Sequence, residues 1–225
     1  MADQISRGCF ITLEGGEGAG KSTQAARLEK RLRVRGFESV LTREPGGSPL
    51  AEQIRSAILS GAIAPLGPAA EAVMFSAARI DHLRHTIRPA LDTGKWVICD
   101  RFSDSTRAYQ GALGNLDPRF LQELERVTVG PTRPDLTIVI DVPAQLGLAR
   151  ARARSESADR FEAEGLAFHE ALRSAFLDIA AHEPGRCAVV DGAMDADAVS
   201  DAIWRIVGDR LVDKAETPPE QKAAP

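Results

Sequence analysis

At 225 residues, with 44% hydrophobic and 27% charged side chains, the chain has the composition of a soluble globular protein with room for one large α/β core and little space for a second. A formal charge of −4 argues against a nucleic-acid polyanion as the main partner, because there is no basic excess to release counterions. No run approaches the ~20 apolar residues of a membrane span, and Met1-Ala2-Asp3-Gln4 lacks the basic-then-apolar start of a signal peptide, so a cytoplasmic location is expected.

The first predicted element is a β-like run over residues 9–14. Behind it stands Gly15-Gly16-Glu17-Gly18-Ala19-Gly20-Lys21-Ser22, a complete GxxxxGK[ST] loop, and then a helical pattern over 21–35, stopped by Gly36. Strand, glycine loop and helix are the context in which backbone N–H groups converge on phosphate oxygens, a helix N-terminus and a lysine add positive charge, and a serine hydroxyl reaches Mg²⁺. A glycine-rich turn that binds nothing is the bland alternative, and the flanks weigh against it. Gly15, Gly16, Glu17, Gly18, Ala19, Gly20, Lys21, Ser22 and Thr23 are therefore the candidate ATP site.

A second strand, 37–42, delivers Thr42-Arg43-Glu44-Pro45-Gly46-Gly47, read either as a plain Pro-Gly turn or as a charged binding element. Pro68 fits a helix start. The pattern continues through Phe75 and Arg79 to a break or kink at Pro89. His82 and His85 sit on that helix; lacking a third ligand at suitable spacing, they are expected as surface histidines, and His169 and His182 carry no signal. The third strand, 96–100, ends in Asp100-Arg101, a carboxylate placed to serve Mg²⁺ beside a planar fork suited to phosphate. The fourth, 136–142, ends in Asp141, the rival for the metal role.

Arg150-Ala151-Arg152-Ala153-Arg154, followed by Asp159-Arg160-Phe161-Glu162, is either a solvated helix end or a lid whose arginines meet the charge of a transferring phosphoryl group. A long helix over 161–181, a fifth strand over 187–190, a helix over 196–211 and a disordered tail over 213–225 complete the chain. Cys9, Cys99 and Cys187 lie in apolar strand-like runs without CxxC spacing and read as reduced, buried thiols. Strands alternating with helices predict a P-loop NTPase fold: a five-stranded parallel sheet flanked by helices, one domain over 1–212 with a lid near 150–162. In such a sheet all strands open their C-terminal ends onto one edge, where ligands bind.

Taken together, Glu14 through Thr23, the Thr42-Arg43-Glu44-Pro45-Gly46-Gly47 turn, Asp100-Arg101-Phe102 with Tyr109-Gln110-Gly111, and the arginine-rich segment ending Asp159-Arg160 resemble the bacterial thymidylate kinases over roughly residues 8–208. The resemblance implies a homodimer that transfers the γ-phosphate of ATP to dTMP with Mg²⁺. It implies that Phe75 stacks on thymine, that Arg79 bonds its exocyclic oxygen, and that Arg55 and Gln110 line the base pocket with Ser105 or Thr106 nearby. It further places Tyr109 against the sugar C2′, Glu17 near the 3′-hydroxyl and Arg101 on the acceptor phosphate; Glu44 is a substrate-side candidate from its charged pair with Arg43 at the strand end. Lys21 and Ser22 keep the phosphate and metal roles read from the loop, with Asp100 beside Ser22. Some members carry an arginine where this chain has Gly18, so the branch resembled is the one whose lid, here Arg150, Arg152 and Arg154, supplies the transition-state cation. Phe102 stands where many members have tyrosine. A deoxynucleoside kinase, which would want a carboxylate base such as Glu44, and a nucleotide-dependent switch, for which no NKxD-type motif is present, are the rival functions.

Overall fold

The computed structural model describes residues 7–154 and 160–213. The N-terminal reading, Asp159, the side chain of Arg154 and the tail beyond 213 lie outside the described residues.

Five strands, β1 (Phe10–Glu14), β2 (Ser39–Arg43), β3 (Trp96–Asp100), β4 (Leu136–Asp141) and β5 (Cys187–Asp191), pair in parallel in the order β2-β3-β1-β4-β5. Each expected strand is present. Central β1 is wholly buried because both faces of the sheet are covered there: Phe10, Ile11 and Leu13 enter apolar layers, and Thr12 and Glu14 are satisfied by hydrogen bonds. Ile11 and Leu13 join Ile98 and Ile138 under α1 (Lys21–Val34) and α9 (Ala196–Val207); Phe10 joins Val97 and Cys99 on the opposite face. That second face is covered by the chain around α4 (Arg88–Asp92) and by α8 (Leu166–His182). Full burial of each large aliphatic side chain stabilises by roughly 1.5–3 kcal/mol. The register sets Leu13 and Arg43 opposite Asp100, and Glu14 opposite Val139, so four strands end at one edge.

Between the strands run α2 (Pro49–Leu59), α3 (Gly67–His82), α5 (Ser103–Thr106) continued by a wide-turned stretch Arg107–Leu113, α6 (Pro118–Thr128) and α7 (Ala144–Arg154). The sequence reading did not delimit α2, α5 or α6. The starts of α2 and α6 had a visible signal, Ser48-Pro49 and Asp117-Pro118, and Asp117 Oδ1 accepts a hydrogen bond from Arg119 N at 2.8 Å.

Two helix expectations need correction. Pro89 breaks nothing: the helix widens over Leu83–Ile87, where Arg88 N reaches back to Leu83 O, and Pro89 sits in the first turn of α4, where its missing N–H is tolerated. The helix expected from Phe161 starts instead at Leu166, because Gly165 is extended and residues 160–164 form a turn. No single helix among the described residues is long and apolar enough to cross a membrane. Burial raises the Cys9 and Cys187 thiols to about 11 and Cys99 well above its ordinary value, so the three free cysteines stay protonated; Cys9 is only partly buried.

Candidate active site

The phosphate loop leaves β1 and enters α1, and its backbone packs tightly on α7. A Cβ on Gly18 (φ +65°) would overlap the carbonyl oxygen of Gly147, and one on Gly147 would overlap the carbonyl of Glu17. The two glycines thus let loop and helix backbones touch. Lys21 is buried and donates to Gly15 O (3.2 Å) and Gly16 O (2.7 Å). Burial lowers its pKa, and neighbouring Arg101 lowers it further, against the pull of Glu17, Asp100 and Glu14. Ser22 Oγ donates to Asp100 Oδ2 at 2.5 Å, which sets two hard oxygens side by side at the end of β3. Asp141 is engaged elsewhere, in a two-pronged ion pair with Arg173 at 2.6 and 2.9 Å.

Arg101 holds φ at +70°, the left-handed region that a non-glycine residue enters at a cost of about 1–3 kcal/mol. Its amide donates to Leu13 O (2.9 Å). This conformation turns the guanidinium toward the loop, where it donates to Gly15 O (3.2 Å), Ser105 Oγ (3.3 Å) and Glu17 Oε1 (2.7 Å) and lies 5.3 Å from the Tyr109 ring centre. Tyr109 donates its hydroxyl to the same Glu17 oxygen at 2.6 Å. Burial alone would raise the Glu17 pKa, but Arg101, Lys21 and the Tyr109 hydroxyl outweigh it and hold the carboxyl at about 2. Burial likewise works against the Arg101 charge, and Glu17, Tyr109 and Asp100 more than offset it.

The turn after β2 is not a bare Pro-Gly turn. Glu44, 6% exposed, accepts from Arg79 Nε (2.7 Å) and lies 3.1 Å from His82 Nδ1; His82 Nε2 lies 2.7 Å from Thr42 Oγ1. The expectation of a surface His82 is therefore wrong. The turn folds over α3 and seals the ring, with Gly47 so close to it that a Cβ there would collide. His85 does stay outside, 2.8 Å from Asp81. The two rings thus have different partners, and no group of three or more potential His, Cys, Asp or Glu ligands occurs among the described residues. His169, which carried no signal, is buried on α8 beside Phe168, whereas His182 is exposed. Arg79 is held on its other sides by Phe102 O (3.2 Å) and Thr106 Oγ1 (3.1 Å). Arg43 is partly exposed and pairs with Glu52.

All ten acceptor-side residues expected from the sequence, Glu17, Glu44, Arg55, Phe75, Arg79, Arg101, Ser105, Thr106, Tyr109 and Gln110, line one cleft, together with Gly18, Gly20, Lys21, Ser22 and Asp100. Arg55 donates to Pro45 O (2.7 Å), and Gln110 Nε2 to Glu71 Oε2 (3.4 Å). The sequence reading missed Phe161 as a wall of this cleft; its ring lies 5.2 Å from Tyr109 and 6.5 Å from Phe75, and Arg160 beside it pairs with buried Glu71 at 2.5 Å. It also gave no role to Glu14, which is fully buried behind Arg101. Neither Arg150 nor Arg152 lines the cleft. Arg150 donates to Gly192 O (2.7 Å) and Ala193 O (3.4 Å), and Arg152 is exposed. Thr23 is exposed at the start of α1.

A phosphate loop, a clamped arginine facing it and an aromatic-lined recess beyond suit the transfer of a phosphoryl group to a flat, anionic acceptor. Residues 13–203 match the family model described as thymidylate kinase. A curated thymidylate kinase of Bradyrhizobium diazoefficiens is 52% identical over 208 residues, covering 92% of this chain and 91% of the relative. One from Bradyrhizobium sp. (strain ORS 278) is 55% identical over 207 residues, 91% of this chain and 92% of the relative. The crystal structure of thymidylate kinase from Ehrlichia chaffeensis superposes with a TM-score of 0.72 at 33% identity, covering 89% of this chain and 98% of that one.

Proposed function

The chain belongs to the thymidylate kinase family, and on that premise we propose how its own residues transfer a phosphoryl group from ATP to dTMP, giving dTDP. The observation that carries the reading is Arg101, a largely shielded cation, its side chain 16% exposed, turned toward the phosphate loop by a left-handed backbone. A nucleotide acceptor brings a phosphate dianion that needs such a cation, whereas a nucleoside acceptor would need a carboxylate base for its hydroxyl. Glu44, the carboxylate considered for that task, has both oxygens engaged by Arg79 and His82, which disfavours the deoxynucleoside kinase.

In this reading Phe75 stacks on thymine while Arg79, Gln110 and Arg55 surround its edge, with Ser105 and Thr106 beside them. Tyr109, fixed by its bond to Glu17, stands against the sugar C2′, and Glu17 meets the 3′-hydroxyl. Glu44 acts from behind by orienting Arg79. The loop amides of residues 15–23 and Lys21 hold the β- and γ-phosphates of ATP, whose oxygens take over from the Gly15 and Gly16 carbonyls that Lys21 now bonds. Ser22 and Asp100 would hold Mg²⁺, which takes one or two protein oxygens beside waters and phosphates; when bound it neutralises charge between the β- and γ-phosphates. Arg101 aligns the acceptor phosphate for in-line attack, and no general base is required because that dianion is already nucleophilic. Arg150 is committed to the carbonyls of Gly192 and Ala193, so Arg152 and Arg154 are the stronger candidates among the three lid arginines for the cation on the transferring group.

We further propose that residues 1–212 form one kinase domain with a lid at 150–162, since all five strands share one sheet. A cytoplasmic location agrees with three free, protonated thiols. A homodimer would join through α3 and α6: Val73 and Ile80 on one, and Phe120 and Val127 on the other, are spaced seven apart and 39–68% exposed on adjoining helices. Sedimentation velocity at micromolar concentration is expected to give twice the chain mass, and a monomer would overturn that assignment. The reaction is tested by ADP release with dTMP, dUMP, dCMP, dAMP, dGMP or thymidine as acceptor. dTMP is expected to be preferred, and a preference for thymidine or a purine nucleotide would reject the reading. Turnover indifferent to every acceptor would point to a nucleotide-dependent switch.

A further inference from the structure

We infer that Glu14 is a positioning residue for Arg101, setting that clamp on the acceptor phosphate through the Phe102 amide and the Ser105 hydroxyl. This rests on the assignment of Arg101 to the acceptor phosphate. Glu14 ends the central strand, is fully buried and does not line the cleft. Its Oε1 accepts from Phe102 N (2.7 Å) and Ser105 N (3.3 Å), and its Oε2 accepts from Ser105 Oγ (2.7 Å).

Two consecutive amides, those of Arg101 and Phe102, are thus pinned to two consecutive residues of β1, Leu13 through its carbonyl and Glu14 through its side chain. Those anchors flank the one bend at which Arg101 takes its left-handed conformation. The same carboxylate also orients the guanidinium, because Ser105 Oγ, while donating to Glu14, accepts from Arg101 Nη1 at 3.3 Å. One buried group therefore fixes both the backbone and the head of the clamp. The placement is not one that packing alone would favour. Burial, and then nearby Asp104, raise the Glu14 pKa to about 7 against the pull of Arg101, the Ser105 hydroxyl and the Phe102 amide; Lys21 and Tyr109 also feel its charge. An apolar side chain would avoid that cost but would leave the Phe102 amide without its acceptor.

A double-mutant cycle tests this, with kcat, the KM for dTMP, the KM for ATP and Tm measured for each protein. Arg101→Ala is expected to lower kcat/KM for dTMP by about a hundredfold. Glu14→Leu should lower it by about tenfold while the KM for ATP changes by less than about twofold, and Glu14→Gln, which keeps an acceptor for Phe102 N, should recover most of the loss. In the Arg101→Ala background Glu14→Leu should cost less than about twofold more. Should Glu14→Leu fail to fold, Ser105→Ala breaks the bridge alone and must show the same dTMP-selective loss, vanishing when Arg101 is alanine. Equal losses for both substrates, or losses that multiply in the double mutant, would overturn the proposal while leaving the Arg101 assignment standing. An Arg101→Ala enzyme with unchanged handling of dTMP would overturn both.

Discussion

The two walls of the cleft are built in opposite ways. Around the acceptor, buried and half-buried side chains cross-link one another: Glu44 with Arg79 and His82, Arg101 with Glu17 and Ser105, Tyr109 with Glu17. Around the donor, contact is mostly backbone: a glycine loop seated on α7 and Lys21 folded onto its own loop carbonyls, with Arg150 reaching away to the residues after β5. A rigid, pre-paired wall suits selection of one small acceptor, because its polar groups already hold their working geometry. The donor wall must instead collect charge around a triphosphate, and on the proposed reading an arginine of the lid supplies part of it.

The largest effect is expected on the donor wall. If a lid arginine, Arg152 or Arg154, meets the transferring group as proposed, replacing it by alanine should cut kcat about 10³-fold or more. Affinity for dTMP should hardly change, because the contact exists mainly in the transition state. Lys21→Ala should cost about 10²–10³-fold in kcat and leave Tm near that of the parent. Turnover numbers beside calorimetric Tm values check all of these, and lid mutants within about threefold of the parent would reduce the segment to a solvated helix end. On the acceptor wall the ranking of rate and stability reverses. Glu44→Gln removes the counter-charge from buried Arg79, and breaking such a pair destabilises by about 3–5 kcal/mol. Thermal unfolding should show that loss as a clear drop in Tm. An unchanged Tm would mean that the Glu44–Arg79–His82 cluster does not hold the wall together.

How much was legible in the sequence follows the same division. The phosphate loop and the Asp100-Arg101 ending could be read because their chemistry is local: glycine spacing, a strand before, a helix after, a charge at the strand end. The five strands were legible from apolar runs such as Leu136 to Ile140, which parallel pairing buries on both faces. His82 was misplaced because its burial is made by a turn some forty residues away. Glu14 stood in a quoted motif without a role, since hydrogen bonds to Phe102 and Ser105 across 88 and 91 positions leave no periodic trace. Phe161 looked like the start of a helix, and only the turn before Gly165 swings it toward Tyr109. The lid arginines were visible as a cluster, but not where each one points.

The contact between Gly18 and Gly147 also constrains how this enzyme could have come to be. An arginine at position 18 would not add a second cation to the site; its first side-chain carbon already collides with α7. If the transition-state arginine is lid-borne, as proposed, a single substitution at position 18 therefore cannot replace it with a loop-borne one. The helix must first move off the loop. Two residues that have no side chains at all thus bar a loop-borne arginine at position 18 while α7 stays where it is.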